Sequence, residues 1–320
     1  MSRHPILDPA IGREQASQLF TEPWLTAGRD LASYSADLLQ RYLAPRDDNF
    51  REYMICGGMY RHALVAWDGL LVCMEQGAVD AAWAFVRQAC DASFSIDFML
   101  SRPDYWARMY FVASVRQERL AIRRMSPGTP EYAEYDGILA SVGGVGDTAA
   151  RVSGHAGFEE ARRMADATLS ATEWKDLNDV FERASVKGKG AKQRRVEPVW
   201  YEPGPYGVAS MYHMAQRIDR RMEYETIYRT ASAALHGTSP RQHWYIAPDG
   251  KMSVEPVRRL GQFFEPWVLG LRLHMHTTSA IMTAFRPGEL AGFREAYASR
   301  WRAAVINQPK ITVSRQFVGE

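Results

Sequence analysis

The chain has 320 residues, of which 46% are hydrophobic and 24% are charged, with a formal net charge of +2 at pH 7. This length is enough for one large domain or two small ones with a substantial core, and the near balance of charge does not demand a nucleic-acid partner. The N-terminal stretch lacks the apolar core of a secretory signal, and no apolar run reaches the about 18 residues of a membrane span. We therefore expect a cytoplasmic protein with no membrane partner.

Helical patterns dominate the first half of the chain. Residues 1–28 contain Pro5, Pro9 and Pro23 and predict an irregular lead-in. The alanine-rich run from Ala78 to Leu100 is apolar nearly all round, which predicts a central buried helix. The other helices predicted in this half are Arg29–Leu43, Asn49–Glu75 (with Asp47 and Asp48 as candidate caps), Asp104–Arg124 and Pro130–Val142.

In the second half, a basic segment and a hairpin pattern interrupt the helices. The segment KGKGAKQRR, residues 187–195, has five basic residues and is typical of a solvated, mobile loop. The stretch HWYIAPDGKMSVEP, residues 243–256, predicts a β-hairpin that turns at PDG. The helices predicted here are Glu159–Leu169, Thr172–Ser185, Tyr206–Arg217, Glu223–Leu235, Pro256–Phe285 and Pro287–Ile306.

These elements predict an all-α protein, a multi-helix bundle with one small β-hairpin near 243–256. We expect a single helical domain over residues 1–320. Within it, the lead-in and first helix occupy 1–45, and the core bundle occupies 46–260 and includes a mobile basic loop over 187–203. The C-terminal helices and a tail occupy 261–320.

One predicted helix carries a polar face. In EYETIYRTASAALHG, residues 223–237, the side chains of Tyr224, Tyr228, Ser232 and His236 recur every four residues and therefore project from nearly one side of an α-helix. Arg229 precedes His236 by seven residues, about two turns, and falls near the same side. A purely apolar bundle does not need this set of side chains, so the face is our candidate functional site.

Two segments resemble a large bacterial family of all-helical domains of unknown function. In GLLVCMEQGAVDAAWAFVRQACDASFSIDFML, residues 69–100, a glycine break precedes an alanine-rich helix with Arg87 and, one turn later, Asp91. The family usually has glutamate at the second position. The pattern Y-x3-S-x3-H recurs as Tyr228, Ser232 and His236. The resemblance implies a helical fold and these candidate ligand-binding residues, but it supplies no reaction.

The same helix is also similar, more loosely, to the HEPN-type ribonucleases and toxins. These are small helical bundles with an R-x4–6-H motif near a helix end, and they usually act as dimers. Arg229 and His236 fit the spacing R-x6-H, although Thr230 stands where many members have Asn, Asp or His. The resemblance implies an HEPN-like core and metal-independent RNA cleavage by a homodimer with a toxin or defence role.

In that chemistry, His236 acts as general acid or base and Arg229 stabilises the charge that develops on the phosphate oxygens. Tyr228 and Ser232 orient the substrate. The basic residues hold the RNA phosphates: Lys187, Lys189, Lys192, Arg194 and Arg195, with Arg217, Arg220 and Arg221.

Two alternatives stay open. The first is structural: Glu225 and Arg229 are spaced for a helix-surface ion pair, the helix dipole favours His236 at the C-terminal end, and Tyr228 and Ser232 are able to close a hydrogen-bond network with Arg87 and Asp91. The second is a non-enzymatic module that binds a nucleotide, a small ligand or a partner protein between the helices 78–100 and 223–236.

No metal or cofactor is predicted. His274 and His276 are two residues apart and so lie on different faces of a helix, which makes a poor metal pair. Cys56, Cys73 and Cys90 match no zinc spacing and are predicted to be reduced thiols in the core.

Overall fold

The structure is a computed structural model. The residues that it describes are 24–43, 50–142, 156–187, 194–236, 244–246, 250, 252–254 and 264–307. In these ranges the chain is helical apart from short strands and connecting segments, which confirms the predicted all-α class. None of the helices in these ranges is long and apolar enough to cross a membrane. The candidate caps Asp47 and Asp48 lie outside the described residues.

Helices make up most of the described residues. In chain order they are α1 (Trp24–Tyr42), α2 (Phe50–Glu75), α3 (Val79–Ser101), α4 (Pro103–Arg124), α5 (Pro130–Val142), α6 (Ala156–Ser170), α7 (Thr172–Ser185), α8 (Met211–Arg217), α9 (Arg221–Glu223), α10 (Arg229–Leu235), α11 (Phe264–Phe285), α12 (Leu290–Ala296) and α13 (Arg302–Ile306). Two π turns, Tyr224–Tyr228 and Tyr297–Trp301, join α9 to α10 and α12 to α13, and a 3-10 turn, Pro287–Glu289, precedes α12.

The chain forms two compact units. The first combines Met1–Ser101 with Ala215–Glu320, and the second is Arg102–Met214. The boundaries expected near residues 45 and 260 lie inside the first unit. The division into domains stays a prediction, because a compact unit is not the same thing as a domain that folds alone.

In the first unit, α2 and α3 form the most extensive helix pair, α11 packs on both, and α1 packs on α2. The predicted central helix is observed as α3, whose side chains are buried on most sides, from Val79 and Trp83 to Phe98 and Met99. Gly69 permits the close approach of α2 and α3, because a Cβ at this position would lie 2.3 Å from the Phe85 ring.

In the second unit, α4 packs against α5, α6 and α7. Its core includes Trp106 and Phe181, and it contains an arginine, Arg116, that is 2% exposed. The Arg116 guanidinium donates to Glu182 Oε1 at 2.7 Å and binds the Glu197 carboxylate with two nitrogens. A charge buried to this degree needs such partners, because desolvation penalises it strongly. This network fixes the start of the segment after residue 195.

Two helix starts lie about five residues from the predicted ones. Helix α1 begins at Trp24, whereas the sequence predicts a start at Arg29; the Gly28 carbonyl accepts a hydrogen bond from Trp67 Nε1 at 3.1 Å, which ties this early turn to α2. Helix α8 begins at Met211 rather than Tyr206. The intervening residues form turns around Gly204, whose φ is +86° and whose carbonyl accepts the Gly207 N–H at 3.2 Å.

The strands are short. β1 (Val186–Lys187) pairs antiparallel with β2 (Arg194–Arg195), and β3 (Trp244–Ile246) pairs antiparallel with β4 (Met252–Val254), with Tyr245 opposite Ser253. Of the PDG turn expected between β3 and β4, Pro248 and Asp249 lie outside the described residues.

Candidate functional site

The sequence predicts one regular α-helix for the segment that carries the polar face. The structure instead has three consecutive segments there. Between α9 and α10, residues Tyr224–Tyr228 form a π turn, in which the Arg229 N–H donates to the Tyr224 carbonyl five residues earlier. A π turn holds one residue more than an α turn and is frequent at functional sites. With this extra residue, α10 directs Ala231 into the core, and Tyr228 and Ser232 lie at the half-buried edge.

At that edge, one guanidinium joins two helices. Arg87, on α3, donates from Nε to the Ser232 hydroxyl at 2.9 Å, from Nη1 to the Asp91 carboxylate and from Nη2 to the Tyr228 hydroxyl. The Arg87 Cζ atom also lies 3.4 Å from the centroid of the Tyr228 ring, a cation–π distance. We call Arg87, Asp91, Tyr228 and Ser232 the Arg87 cluster. The structure thus brings together all four residues predicted to bind ligand.

The Arg87 cluster is not sealed from solvent. The side chain of Arg87 is 20% exposed and that of Asp91 is 39% exposed. Asp91 is the i+4 neighbour of Arg87 on the same helix, so their ion pair crosses no helix interface and contributes little to stability, about 0.3–0.5 kcal/mol. The hydroxyls of Tyr228 and Ser232 hold the guanidinium from the opposite helix and fix its position.

Aromatic rings back the cluster. The Tyr228 ring stacks on Tyr224, with centroids 4.6 Å apart, and on Phe94 of α3, with centroids 6.3 Å apart. Phe94 is fully buried, whereas Tyr224 is half-buried. The row of rings therefore runs from the core to the surface beside Arg87, an arrangement that offers a flat ligand a stacking surface next to a positive charge.

The two residues predicted to be catalytic lie outside the Arg87 cluster. The Arg229 side chain is 67% exposed and donates to Glu225 Oε2 at 2.8 Å, and this carboxylate raises the pKa of the Arg229 guanidinium. This is the surface ion pair of the structural alternative. His236 is exposed at the C-terminal end of α10, where its backbone N–H donates to the backbone carbonyl of Ser232 at 3.0 Å.

The predicted phosphate-contact residues are described only in part. Lys187 lies in β1 and pairs with Arg194 of β2, and Arg195 pairs with Val186, so three of the five basic residues belong to paired strands rather than to an open loop. Lys189 and Lys192 lie outside the described residues. The later part of the expected mobile loop, 187–203, is held at Glu197 by Arg116.

A second polar group in the first unit has no counterpart in the sequence prediction. Arg220 donates from Nη1 to Ser93 Oγ at 2.6 Å and to Asp97 Oδ2 at 2.8 Å, and His276 Nε2 lies 2.8 Å from the same Asp97 oxygen. The sequence prediction that Arg220 holds phosphate is wrong, because its side chain is 8% exposed and committed to these partners. Asp97 is 123 residues from Arg220 and 179 residues from His276 in the sequence, so no local spacing predicts this grouping.

The two histidines of α11 occupy different environments. His274 is buried and hydrogen-bonded to the Ser35 hydroxyl, with 2.8 Å between Oγ and Nε2, and burial lowers the pKa of His274 to about 3. His276 is about half exposed and pairs with Asp97.

Within the part of the chain that the structure describes, no group of three His, Cys, Asp or Glu side chains is placed to hold a metal ion. Burial raises the pKa of Cys56 and of Cys90 to about 12, so both are protonated thiols of the core.

Comparison with known proteins places the chain in a family. Residues 53–250 match the model of a family described as a family of unknown function, DUF5677, and the chain belongs to this family. The matched range includes the whole Arg87 cluster. No curated protein and no solved structure matches the chain.

Proposed function

We propose that this member of the DUF5677 family binds a small anionic ligand, of the size and chemistry of a nucleotide, at the Arg87 cluster. The observation that carries the proposal is a positioned but still accessible guanidinium: Arg87 is held by hydroxyls from the facing helix, is 20% exposed, and has as its counter-ion a carboxylate that is 39% exposed. A planar guanidinium suits phosphate and carboxylate groups, because it binds them with two parallel hydrogen bonds.

The energetics favour exchange of the counter-ion. An exposed i,i+4 ion pair contributes only about 0.3–0.5 kcal/mol, whereas hydrogen bonds to charged groups contribute about 1.5–3 kcal/mol. A ligand phosphate is therefore able to take the place of Asp91 at Nη1 while Asp91 turns into solvent. The Ser232 and Tyr228 hydroxyls keep the guanidinium in place during this exchange, so the site needs little reorganisation.

The neighbouring rings suit a flat ligand group. Tyr224 and Tyr228 are stacked 4.6 Å apart at the surface end of the row of rings beside Arg87. Stacking of a base on aromatic rings contributes about 1–3 kcal/mol and tolerates any base. Together with the guanidinium, this surface favours a ligand with both an anionic and a planar part.

A thermal-shift screen tests the proposal. Nucleoside mono-, di- and triphosphates are compared with inorganic phosphate and with uncharged nucleosides. A ligand at about 100 times its Kd stabilises the folded state by about 2.7 kcal/mol and raises Tm.

We expect a rise in Tm with at least one phosphorylated nucleotide and the loss of this rise in Arg87→Gln. The matched control Arg229→Gln removes an exposed guanidinium from the neighbouring helix and keeps the rise. No rise with any anion, or a rise that survives in Arg87→Gln, contradicts the proposal.

Metal-independent RNA cleavage by an HEPN-like homodimer is a second proposal. It is supported by the exposure of both Arg229 and His236, which leaves them accessible to a large substrate. Arg229 would have to release Glu225 to bind a phosphate, a change of little cost for an exposed pair.

This second proposal is tested by comparing the purified protein with His236→Ala for cleavage of RNA in the presence of EDTA. Cleavage by the wild-type chain and at least a hundredfold less by the variant supports a general acid or base, whose contribution is about 10²–10⁴. Equal cleavage by both, or none by either, refutes it. The result is independent of nucleotide binding, because His236 lies outside the Arg87 cluster.

A further inference from the structure

Helix α2 exposes a regular stripe on its outer side. Gly58, Arg61, Val65, Asp68 and Val72 are all exposed and recur with spacings of three and four residues; we call them the α2 stripe. Val65 is 45% exposed and Val72 is 52% exposed, although both belong to a helix whose opposite side lies in the core. A stripe with this spacing is the pattern by which one helix packs along another.

The stripe has room for a close neighbour. Among the described residues, a Cβ built at Gly58 meets no atom within 4 Å, in contrast to Gly69 on the same helix, where the Phe85 ring fills that space. A glycine in the interior of an exposed helix costs roughly 0.5–1 kcal/mol relative to alanine, so Gly58 is not explained by the stability of α2 itself. Close approach of a second backbone explains it.

The order of residues along the stripe is self-complementary. When two copies of α2 pack antiparallel about a two-fold axis beside Val65, each position meets the one at equal distance on the other side of that axis. Val65 then meets Val65 of the second copy, and Gly58 meets Val72. Arg61 lies four residues before Val65, about 6 Å along the helix, and Asp68 lies three residues after it, about 4.5 Å along the helix. Arg61 of one copy therefore lies opposite Asp68 of the second copy.

The charges on the stripe agree with this arrangement. Within the described ranges, neither Arg61 nor Asp68 takes part in an ion pair of its own chain. They are seven residues apart, about 10 Å along the axis, and cannot pair with each other within one helix. Across the two-fold axis each charge faces one opposite charge, so the contact contains two Arg61–Asp68 pairs, the reciprocity that an isologous contact requires.

We infer that the α2 stripe is a dimerisation surface and that its partner is a second copy of this chain in antiparallel orientation. Residues 58–72 span about 21 Å of helix, a short contact whose centre is two valines. The dimer is therefore weak, with a Kd of about micromolar order, as small interfaces are. The stripe contains neither Arg87 nor His236, so its test is separate from the tests of both functional proposals.

Sedimentation velocity over a range of protein concentrations measures the dimer directly. We expect monomer at low concentration and dimer in the range of tens of micromolar. Val65→Glu brings two carboxylates together at the two-fold axis and weakens dimerisation at least about tenfold, because like charges in an interface repel strongly. Since Val65 is exposed, circular dichroism and Tm of the variant stay close to those of the wild type.

Charge reversal identifies the orientation. Arg61→Asp places four acidic groups in the contact and Asp68→Arg places four basic groups, so each variant alone is monomeric. A mixture of the two regains opposite charges at both positions and forms a heterodimer. Arg229→Asp changes the net charge by the same amount as Arg61→Asp but lies off the stripe, and it leaves the dimer intact.

Three results overturn the inference. The first is a wild-type chain that stays monomeric over the whole range. The second is a dimer whose Kd is unchanged in Val65→Glu, which places the contact on another surface. The third is a mixture of Arg61→Asp and Asp68→Arg that stays monomeric while the wild type dimerises, which excludes the antiparallel arrangement.

Discussion

Three arginines of the first unit have different environments. The side chain of Arg220 is 8% exposed, that of Arg87 is 20% exposed and that of Arg229 is 67% exposed. A guanidinium pays a desolvation cost that grows with burial, so each must be paired to a different extent. Arg220 is committed to structure, Arg229 is a solvated surface charge, and Arg87 lies between these limits, held in place yet accessible.

The contrast gives a prediction for stability. Arg220→Met leaves Asp97 partly buried beside Ser93 without its main cation and lowers the free energy of unfolding by roughly 3 kcal/mol, as loss of one partner of a buried ion pair does. Arg229→Met breaks only an exposed ion pair and leaves the free energy of unfolding close to that of the wild type. Urea denaturation of the two variants checks this. Equal losses would show that Arg220 is not a structural residue.

A second residue, His274, contributes to the dependence of stability on pH. His274 has a folded pKa of about 3 against an ordinary value of 6.5, because burial opposes its charge. The unfolded state therefore binds one proton more between these values, and the stability that is present above pH 6.5 is lost as the pH falls. The loss is about 1.4 kcal/mol per pH unit, or roughly 2 kcal/mol between pH 6.5 and 5.

Urea denaturation at pH 7.5, 6.5, 5.5 and 5.0 measures that slope. His274→Asn retains a polar partner for Ser35 but does not titrate, so its stability is lower at pH 7.5 yet falls less steeply towards pH 5. A variant with the same slope as the wild type would assign the acid sensitivity to other groups.

At the scale of elements, close helix packing depends on small residues. Gly69→Ala on α2 places a methyl group against the Phe85 ring, which lies 2.3–2.6 Å from the new atom, and lowers the stability by about 1–3 kcal/mol through overpacking. Gly58→Ala on the same helix meets no atom of the described ranges and raises the stability by up to about 1 kcal/mol, when measured at protein concentrations where the chain is monomeric. Thermal unfolding of the two variants compares them; destabilisation by Gly58→Ala and not by Gly69→Ala would contradict this packing.

Most helices were predictable because their signals are local. The alanine-rich, apolar composition of α3 and the glycine turn before it, where Gly77 has a φ of +66°, are both visible in one short stretch of sequence. The π turn after Glu223 was not predictable, because five-residue hydrogen bonding leaves no mark on an apolar pattern. The sequence pattern is compatible with a helix from Tyr206, but the backbone of this stretch forms turn hydrogen bonds around Gly204 instead. Helix α8 therefore begins only at Met211.

The site was predictable to the extent that its members share a helix. The spacing of Arg87 and Asp91 on one helix, and of Tyr228 and Ser232 on another, gave the candidates, and the family resemblance connected them. The grouping of Asp97, Arg220 and His276 was missed, because only tertiary packing brings these distant positions together. Arg229 and His236 have a permissive spacing, but the structure directs Arg229 to Glu225.

At the scale of the whole molecule, the first unit joins the first and last parts of the chain, and the Arg87 cluster lies within it. The cluster needs both parts, because Arg87 of α3 donates to the hydroxyls of Tyr228, in the π turn, and of Ser232, in α10. A ligand at this point contacts both segments, so its binding stabilises the association of the two parts. Ligand affinity is therefore the property that distinguishes a binding site from a purely structural contact.

The most direct measurement is the affinity of the best nucleotide of the screen for Asp91→Asn, determined by isothermal titration calorimetry. Asp91 competes with an anionic ligand for Arg87, so its neutralisation tightens binding by about two- to tenfold. The control Glu225→Gln, which removes a carboxylate that pairs with Arg229, leaves the Kd unchanged. If Asp91→Asn binds the nucleotide with unchanged or weaker affinity, Arg87 does not exchange its counter-ion for a ligand, and the Arg87 cluster serves only to join the two helices.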